Sequence, residues 1–211
     1  MAIAALYDIH GNLAALEAVL ADIPAEATIL VGGDVVAGGA QAAETLERLR
    51  GLGDRVRWIR GNGDRELTAG EEGLAPPGAL DDTLAQLTGE QIAFLHALSP
   101  TLLLDGVLYC HATPRNDLDI FGPRTPDERV APLFDGVGAD VIVCGHTHIQ
   151  FEREIAGRRV INAGSVGSPY EREPGAYWLL GLEHRRTAYE GAEPAAVGHD
   201  EWLDWVEAHA V

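Results

Sequence analysis

The chain predicts an α/β fold, and three observations carry the prediction. Short apolar runs rich in Val, Ile and Leu read as buried strands. Polar loops carrying Asp or Asn follow them at once, and helically spaced segments follow the loops. The first third of the chain repeats this strand, loop and helix plan three times, which is βαβ organisation. Ligands in such sheets gather beyond the carboxyl ends of the strands, so the loops after the first three strands are expected to converge.

Ile3 to Tyr7 reads as the first strand. It lacks a basic start and runs straight into Asp8 and His10, so it is not read as a signal peptide. Asn12 is placed to cap a helix over Leu13 to Ala21, with Leu13, Leu16, Val19 and Leu20 on one face. Thr28 to Val31 is the second strand and leads into Gly32-Gly33-Asp34. Ala40 to Arg50 is the second helix, with Leu46 and Leu49 apolar and Glu44, Glu47 and Arg48 solvated. Val56 to Ile59 is the third strand, ahead of Arg60-Gly61-Asn62-Gly63-Asp64.

Residues 65–100 read as a surface or cap excursion that could roof the site. Gly70, Gly73, Pro76, Pro77 and Gly78 mark a loop, and Thr88 with Gln91 gives a capping-box signal for a short helix through Leu98. Thr101 to Leu104 and Val107 to Cys110 flank Asp105-Gly106, a hairpin signal, and the second run delivers His111. After a polar loop over 112–124, Thr125-Pro126-Asp127-Glu128 opens a helix with Thr125 as its cap. Val141 to Val143 is a further buried strand. Ile149 to Ile155, Arg159 to Ile161 and Ala176 to Leu182 look like antiparallel strands, and 185–190 adds an edge strand. His199 to Ala210 is a helix whose Trp202, Leu203, Trp205 and Val206 are expected to pack on the body. No internal repeat is visible, and 1–211 is expected to form a single domain.

The net charge is −18 and all 15 basic residues are arginine. Such an acidic surface repels nucleic-acid backbones and anionic membranes, so neither a dedicated nucleic-acid partner nor a membrane partner is expected. No apolar run is long enough to cross a bilayer. Cys110 and Cys144 lie inside apolar runs and are expected to be buried thiols of a reduced, cytoplasmic protein rather than a disulfide.

The stretch Val141-Ile142-Val143-Cys144-Gly145-His146-Thr147-His148 is the sharpest local signal. Gly145 is expected to turn the chain at the strand's end. Continued strand geometry would point His146 and His148 the same way. An isolated H-x-H is weak, but the other strands add to it. Asp8 and His10 follow the first strand, Asp34 the second, Asn62 the third, and His111 the run at 107–110. Two carboxylates, one amide oxygen and four imidazoles are too many for one structural zinc and suit two first-row divalent ions. A pair of ions about 3.5–4 Å apart clamps a phosphoryl group and activates water.

Asp8-Ile9-His10, Gly33-Asp34, Gly61-Asn62-Gly63-Asp64, His111 and Gly145-His146-Thr147-His148, in this order, resemble the calcineurin-like metallophosphoesterase superfamily. The pattern is nearest to that superfamily's small bacterial and archaeal phosphodiesterase group. Asn162-Ala163-Gly164-Ser165 resembles that group's N-x-G-S segment. The resemblance covers about residues 3–169. It implies two packed mixed β-sheets flanked by helices in four layers. It also implies that Asp8, His10 and His148 hold one metal, that Asn62, His111 and His146 hold the other, and that Asp34 bridges them. Asp34 and Asp64 are the candidate catalytic carboxylates, and Asn12 matches a position near the substrate phosphate. The implied reaction is in-line attack on phosphorus by a hydroxide bridging two divalent ions, Mn²⁺ first and Fe, Zn²⁺ or Ni²⁺ as alternatives.

The chain departs from the pattern twice. Where the family often has a histidine able to protonate the leaving group, Gly63 supplies no proton. That favours diesters with good leaving groups over alkyl monoesters. After Asp34 the chain reads Val35-Val36-Ala37 rather than the Asp-Arg of phosphoprotein phosphatases. Arg60, Arg65, Arg115 and Arg124 are candidates for a further phosphate contact, with Arg115 foremost and Arg65 and Arg124 expected in salt bridges. The expected activity is therefore a phosphodiesterase on a small phosphate ester. A phosphomonoesterase and a non-catalytic scaffold on the same fold are the alternatives, and a homo-oligomer is left open.

Overall fold

The computed structural model describes residues 2–68 and 73–211. Met1 and Gly70, which belong to the expected N-terminal run and cap loop, lie outside the described residues. In chain order the elements are β1 (Ile3–Leu6), α1 (Leu13–Asp22), β2 (Thr28–Val31), α2 (Ala42–Arg50), β3 (Val56–Trp58), α3 (Asn62–Glu66), α4 (Asp81–Gln86) and α5 (Gly89–His96). There follow β4 (Thr101–Leu104), β5 (Val107–Cys110), α6 (Asp127–Val130), β6 (Val141–Cys144), β7 (Gln150–Ile155), β8 (Arg158–Ala163), β9 (Ala176–Leu180), β10 (Glu183–Thr187) and α7 (His199–His209).

These strands form two five-stranded mixed sheets flanked by helices, with orders β10-β9-β1-β2-β3 and β4-β5-β6-β8-β7. Strand alternation explains the layering. Ile3, Ala5 and Tyr7 face inward with Leu30 and Ile59, against Tyr109, Val143 and Ile161 of the second sheet. Ala4 and Leu6 face outward with Ile29 and Val31, under Leu16 and Val19 of α1 and Leu46 and Leu49 of α2. The far face of the second sheet, Cys110, Ile142, Cys144 and Val160, packs under Phe121, Val130 and Phe134. Both faces of the central strands are covered, which is why their sequences run apolar without alternation.

Asn12 caps α1 as expected, its side-chain oxygen accepting from the Ala15 N–H. Thr88 and Gln91 form the expected capping box of α5. Asp105 and Gly106 turn the β4–β5 hairpin with φ of 50° and 81°, the left-handed pair a two-residue turn requires.

Four expectations need correction. The 65–100 stretch is only partly a surface excursion: Leu95 of α5 is fully buried in the core over the first sheet, with Leu84, Ile92 and Leu98 packed around it. Thr125 does not cap α6; its hydroxyl accepts from the Gly122 N–H and donates to Glu207. The helix is a single turn that tightens into a 3-10 turn over Ala131–Phe134, where Pro132 has no N–H for an α-helical ladder. The late strands, expected antiparallel, are so only in part. β7 and β8 are antiparallel, β8 is parallel to β6, and β9 crosses to the first sheet and pairs antiparallel with β1. The face of α7 expected on the body packs only in part: Val206 is buried, Trp202 and Leu203 are half-buried, and Trp205 is 40% exposed.

Candidate metal centre

The site is built where β1, β2, β3, β5 and β6 end. The chain does not reach it in strand geometry. Asp8, His10, Asp34, His146 and His148 all adopt left-handed backbone conformations, with φ of 53°, 49°, 51°, 69° and 59°. Non-glycine residues are uncommon there, and such strain persists only where the surroundings hold it. Here the loops hold one another. Asp8 N–H donates to Gly33 O, His10 N–H to Asp34 O, Gly145 N–H to His111 O and Gly167 N–H to Asp8 O. Strand alternation therefore does not align His146 and His148. Gly145 is not the left-handed residue of that turn either. It is required because a Cβ there would meet the Tyr7 ring at 2.5 Å and Asp8 Oδ2 at 2.6 Å.

The imidazoles are oriented from behind. His10, His111 and His148 each place Nδ1 on a backbone carbonyl: Ala37 at 2.6 Å, Gly32 at 2.9 Å and Ser168 at 2.6 Å. With Nδ1–H donating, each Nε2 presents a lone pair forward, the arrangement that fixes metal-binding histidines. Those lone pairs converge. His10 Nε2 and His148 Nε2 are 3.2 Å apart, and Asp8 Oδ1 lies 3.3 Å from His148 Nε2 and 3.8 Å from His111 Nε2. Asp34 divides its oxygens, Oδ2 3.9 Å from His10 Nε2 and Oδ1 3.6 Å from His111 Nε2. Asn62 Oδ1 is 3.1 Å from His111 Nε2, and the His146 ring stands edge-on to His111. Asp8 Oδ1 and His146 Nε2 are buried without a hydrogen-bond partner.

Lone pairs and carboxylate oxygens aimed at one another, with two buried polar atoms orphaned, fit divalent cations and little else. Two groups have metal-binding spacing: Asp8, His10 and His148, and Asp8, Asp34 and His111. Asp8 thus stands between both groups, which its assignment to one ion does not anticipate.

The electrostatics follow from this crowding. Burial opposes ionisation of Asp8, but His148 and His111 hold its carboxyl well below the usual range. Burial and the charge of His111 push His146 down to about 4. Burial and His148 lower His10. Burial works against the charged form of His148 and His111 too, but Asp8 raises the first and Asp34 with Asp8 the second.

Asp64 does not reach the ligand cluster. It is fully buried, and its oxygens accept from the N–H groups of Asp34, Val35 and Gly61 at 2.9, 3.0 and 2.9 Å. Burial and the charge of Asp34 push its carboxyl up to about 7, while the N–H groups of Gly61 and Val35 pull it down. It is a positioning residue for the loops carrying Asp34 and Asn62, which corrects the catalytic role expected from the motif. Asn12 lines the hollow beside the site, but its amide already donates to Gly167 O and Tyr189 Oη. Arg115 forks onto Asp119 at 2.6 and 2.8 Å and does not line that hollow, so the expected phosphate contact is not assembled in this conformation. Arg65 pairs with Asp117 and Arg124 with Asp204, as expected, and Arg60 donates to His96 O.

Gly63 is more than a missing acid. A Cβ there would meet the Ala37 Cβ at 2.6 Å and Asp34 Oδ1 at 3.0 Å, so the space is closed, and its N–H donates to Asp34 Oδ1 at 2.7 Å.

Glu66 and Tyr170 escaped the sequence reading as supports, and the N-x-G-S segment was noted there without its role. Glu66 accepts from the Asn62 amide at 2.9 Å, turning the amide oxygen toward His111, and also accepts from Leu74 N–H and Ala75 N–H. Its position four residues after Asn62 on one helix was the available signal. Asn162 donates to Gly145 O and Thr147 Oγ1, and Ser165 donates to Asp8 O, so the N-x-G-S segment braces the ligand loops. Tyr170 stacks on the His148 ring with centroids 5.7 Å apart.

Two hollows meet at the cluster. The larger, about 720 Å³, runs from His10, Asp34, Asn62 and His148 past Asn12 and Gly38–Gln41 to Leu74–Pro76. The smaller, about 230 Å³, leaves Asp34, Asn62, His146 and His148 toward Tyr170, Trp202 and Trp205.

Two packed mixed sheets with an Asp, Asn and His cluster at the strand ends define a metal-binding class of α/β fold. Residues 1–185 match the model of the calcineurin-like phosphoesterase superfamily domain, and the chain belongs to that family of phosphoric ester hydrolases. It is 33% identical over 122 residues to a symmetrical bis(5'-nucleosyl)-tetraphosphatase of Pectobacterium atrosepticum, a match covering 53% of this chain and 43% of that protein. The chain thus spans less than half the length of that relative. It is 32% identical over 194 residues to an uncharacterized protein of Methanocaldococcus jannaschii, covering 79% of this chain and 76% of the other. Among solved structures, a metallophosphoesterase of Sphaerobacter thermophilus superposes with a TM-score of 0.75 at 25% identity, over 90% of both chains.

Proposed function

We propose that this chain is a divalent-metal-dependent phosphodiesterase acting on small nucleotide-type substrates, with dinucleoside polyphosphates in that class. The observation that carries the reading is the junction of two hollows at one ligand cluster. A phosphodiester bears an organic group on each side of phosphorus, and each hollow takes one. The likeness to the symmetrical tetraphosphatase, whose substrates carry two nucleosides, supports the same reading.

In this proposal Asp8, His10 and His148 hold one ion, Asn62, His111 and His146 the other, and Asp34 spans them, with its two oxygens already divided between the groups. When bound, divalent ions at such a site supply positive charge to the phosphoryl oxygens and lower the pKa of water. Mn²⁺ is the ion proposed. The chain's own residues do the rest. The carbonyls of Ala37, Gly32 and Ser168 hold three imidazoles with Nε2 forward. Glu66 holds the Asn62 amide with its oxygen forward. Tyr7 and the apolar sheet interface close the site from behind. No side chain at 63 can hand a proton to the leaving group, which favours esters whose leaving oxygen needs none. A cytoplasmic setting is proposed with it, and among the described residues no helix is long and apolar enough to cross a membrane.

The test compares bis(p-nitrophenyl) phosphate with p-nitrophenyl phosphate, with Mn²⁺ added. Diester turnover should exceed monoester turnover, and Asp34→Asn should abolish both. Monoester turnover without diester turnover would overturn the proposal.

A further inference from the structure

The smaller hollow has a wall that the ligand cluster does not explain. Tyr170, Trp202, Trp205 and His209 form a ladder of rings running outward from His148. Centroids are 3.8 Å apart for Tyr170–Trp202, 4.7 Å for Trp202–Trp205 and 4.2 Å for Trp205–His209, all within 24° of parallel. The ladder is held in place. Trp202 Nε1–H donates to Thr147 O, between the two ligand histidines, and His199 Nδ1 is 2.8 Å from Tyr170 O. Glu207 ties α7 to Arg124 N–H and to the Thr125 hydroxyl, and Val211 N–H donates to Ile120 O. Yet α7 buries only Val206. Trp205 is therefore fixed in an open position beside the site, and Trp202 stands half-buried behind it, rather than both filling a core. Both lie beyond residue 185, where the match to the family model ends.

We infer that the slot between the Trp202–Trp205 ring edges and Ile120 and Leu74 is a nucleobase subsite for one arm of the substrate. This rests on the phosphodiesterase reading and adds what the smaller hollow accepts. Three features point to a base. The slot opens directly onto Asp34, Asn62, His146 and His148, so its occupant is joined to the reacting phosphorus. Its volume of about 230 Å³ lies below the roughly 300–1,000 Å³ of pockets for whole drug-sized ligands, so it takes a ring system and not an entire nucleotide. Its outer part carries no charged side chain, which disfavours a polyphosphate there and leaves the anionic and polar arm to the larger hollow. The ring faces are already covered by one another, so the slot is offered ring edges. Their positive rims suit the π-face of a base held edge-to-face. Such contacts contribute about two- to twelvefold in affinity beyond the area they bury.

The test is calorimetric titration, with Mn²⁺ present, of AMP and of ribose 5-phosphate, which has the same sugar and phosphate without the base. Wild type should bind AMP several-fold more tightly. Trp205→Ala should bring AMP close to ribose 5-phosphate, and Trp205→Phe, which keeps a ring, should retain most of the preference. Thermal unfolding checks that the variants fold. On a dinucleoside polyphosphate, Trp205→Ala should raise KM more than it lowers kcat. Equal binding of AMP and ribose 5-phosphate by wild type, or an unchanged preference in Trp205→Ala, overturns the subsite even if diesters are hydrolysed. An AMP preference lost in Trp205→Ala supports the subsite even if diester turnover fails, and that failure falls on the phosphodiesterase reading alone.

Discussion

Asp64→Asn separates positioning from chemistry. At pH 8 the carboxyl is above its value of about 7 and offers two acceptor oxygens to three buried N–H groups. Asparagine has the same shape but one acceptor. Its oxygen can keep the Oδ2 position, shared by Asp34 N–H and Gly61 N–H, and its NH₂ then faces the Val35 N–H. One stranded buried donor costs about 1–3 kcal/mol. For a chain of this size that lowers Tm by about 2–12 °C. Asp64→Ala strands all three donors and should lose more. Urea unfolding in EDTA reads the cost without metal. Mn²⁺ titration then reads whether the displaced Asp34 and Asn62 loops bind more weakly. Equal midpoints for wild type and both variants, with equal Mn²⁺ affinity, would refute the positioning role.

Metal removal should also register in stability. Ions at about a hundredfold excess over Kd add about 2.7 kcal/mol per site, so EDTA should lower Tm by about 5 °C or more, and Asp34→Asn should abolish the difference. Gly63→Ala gains about 1 kcal/mol of helix propensity but drives a Cβ to 2.6 Å from that of Ala37, an overpacking that costs about 1–3 kcal/mol. It should not stabilise the protein, and adding Ala37→Gly should recover the loss, both measured by urea unfolding. Cys110 and Cys144 are buried free thiols whose pKa burial pushes up, so a thiol reagent at pH 8 should label neither in the native protein and both after denaturation. Rapid native labelling would contradict that burial.

Most of the fold was legible because it rests on periodicity and turn chemistry. Strands β1 to β3 and the β4–β5 hairpin end within a residue or so of where apolar runs stop and Gly or Asp begins. Which sheet β9 joins was not legible. Ala176 to Leu180 is apolar on both faces, so its pattern names no partner, and only tertiary packing sets it beside β1. The residues of the site were legible for a related reason: side chains able to bind metal recur just past strand ends, in an order that resembles a known family. How the backbone presents them was not. Left-handed conformations at Asp8, His10, Asp34, His146 and His148 are not marked by glycine, and the tolerance of Asp and His for that region does not say which of them adopt it. The glycines that matter, such as Gly145 and Gly63, act by what a Cβ would strike. That depends on residues distant in sequence.

The tail shows the limit most clearly. Trp202, Leu203, Trp205 and Val206 have the spacing of a helix face that packs on a core, and spacing is all the sequence offers. What such a face meets depends on where the helix ends are tied. Glu207 and Val211 anchor α7 to the 120–125 loop, and Trp202 anchors it to Thr147. Those ties leave Val206 as the one fully buried side chain of the helix and carry the two tryptophans to the mouth of the ligand cluster. The same apolar period therefore serves two ends. In α1 and α2 it fills a core under the first sheet, and in α7 it builds a wall beside the site. Only the identity of the neighbours, and not the period, tells the two apart.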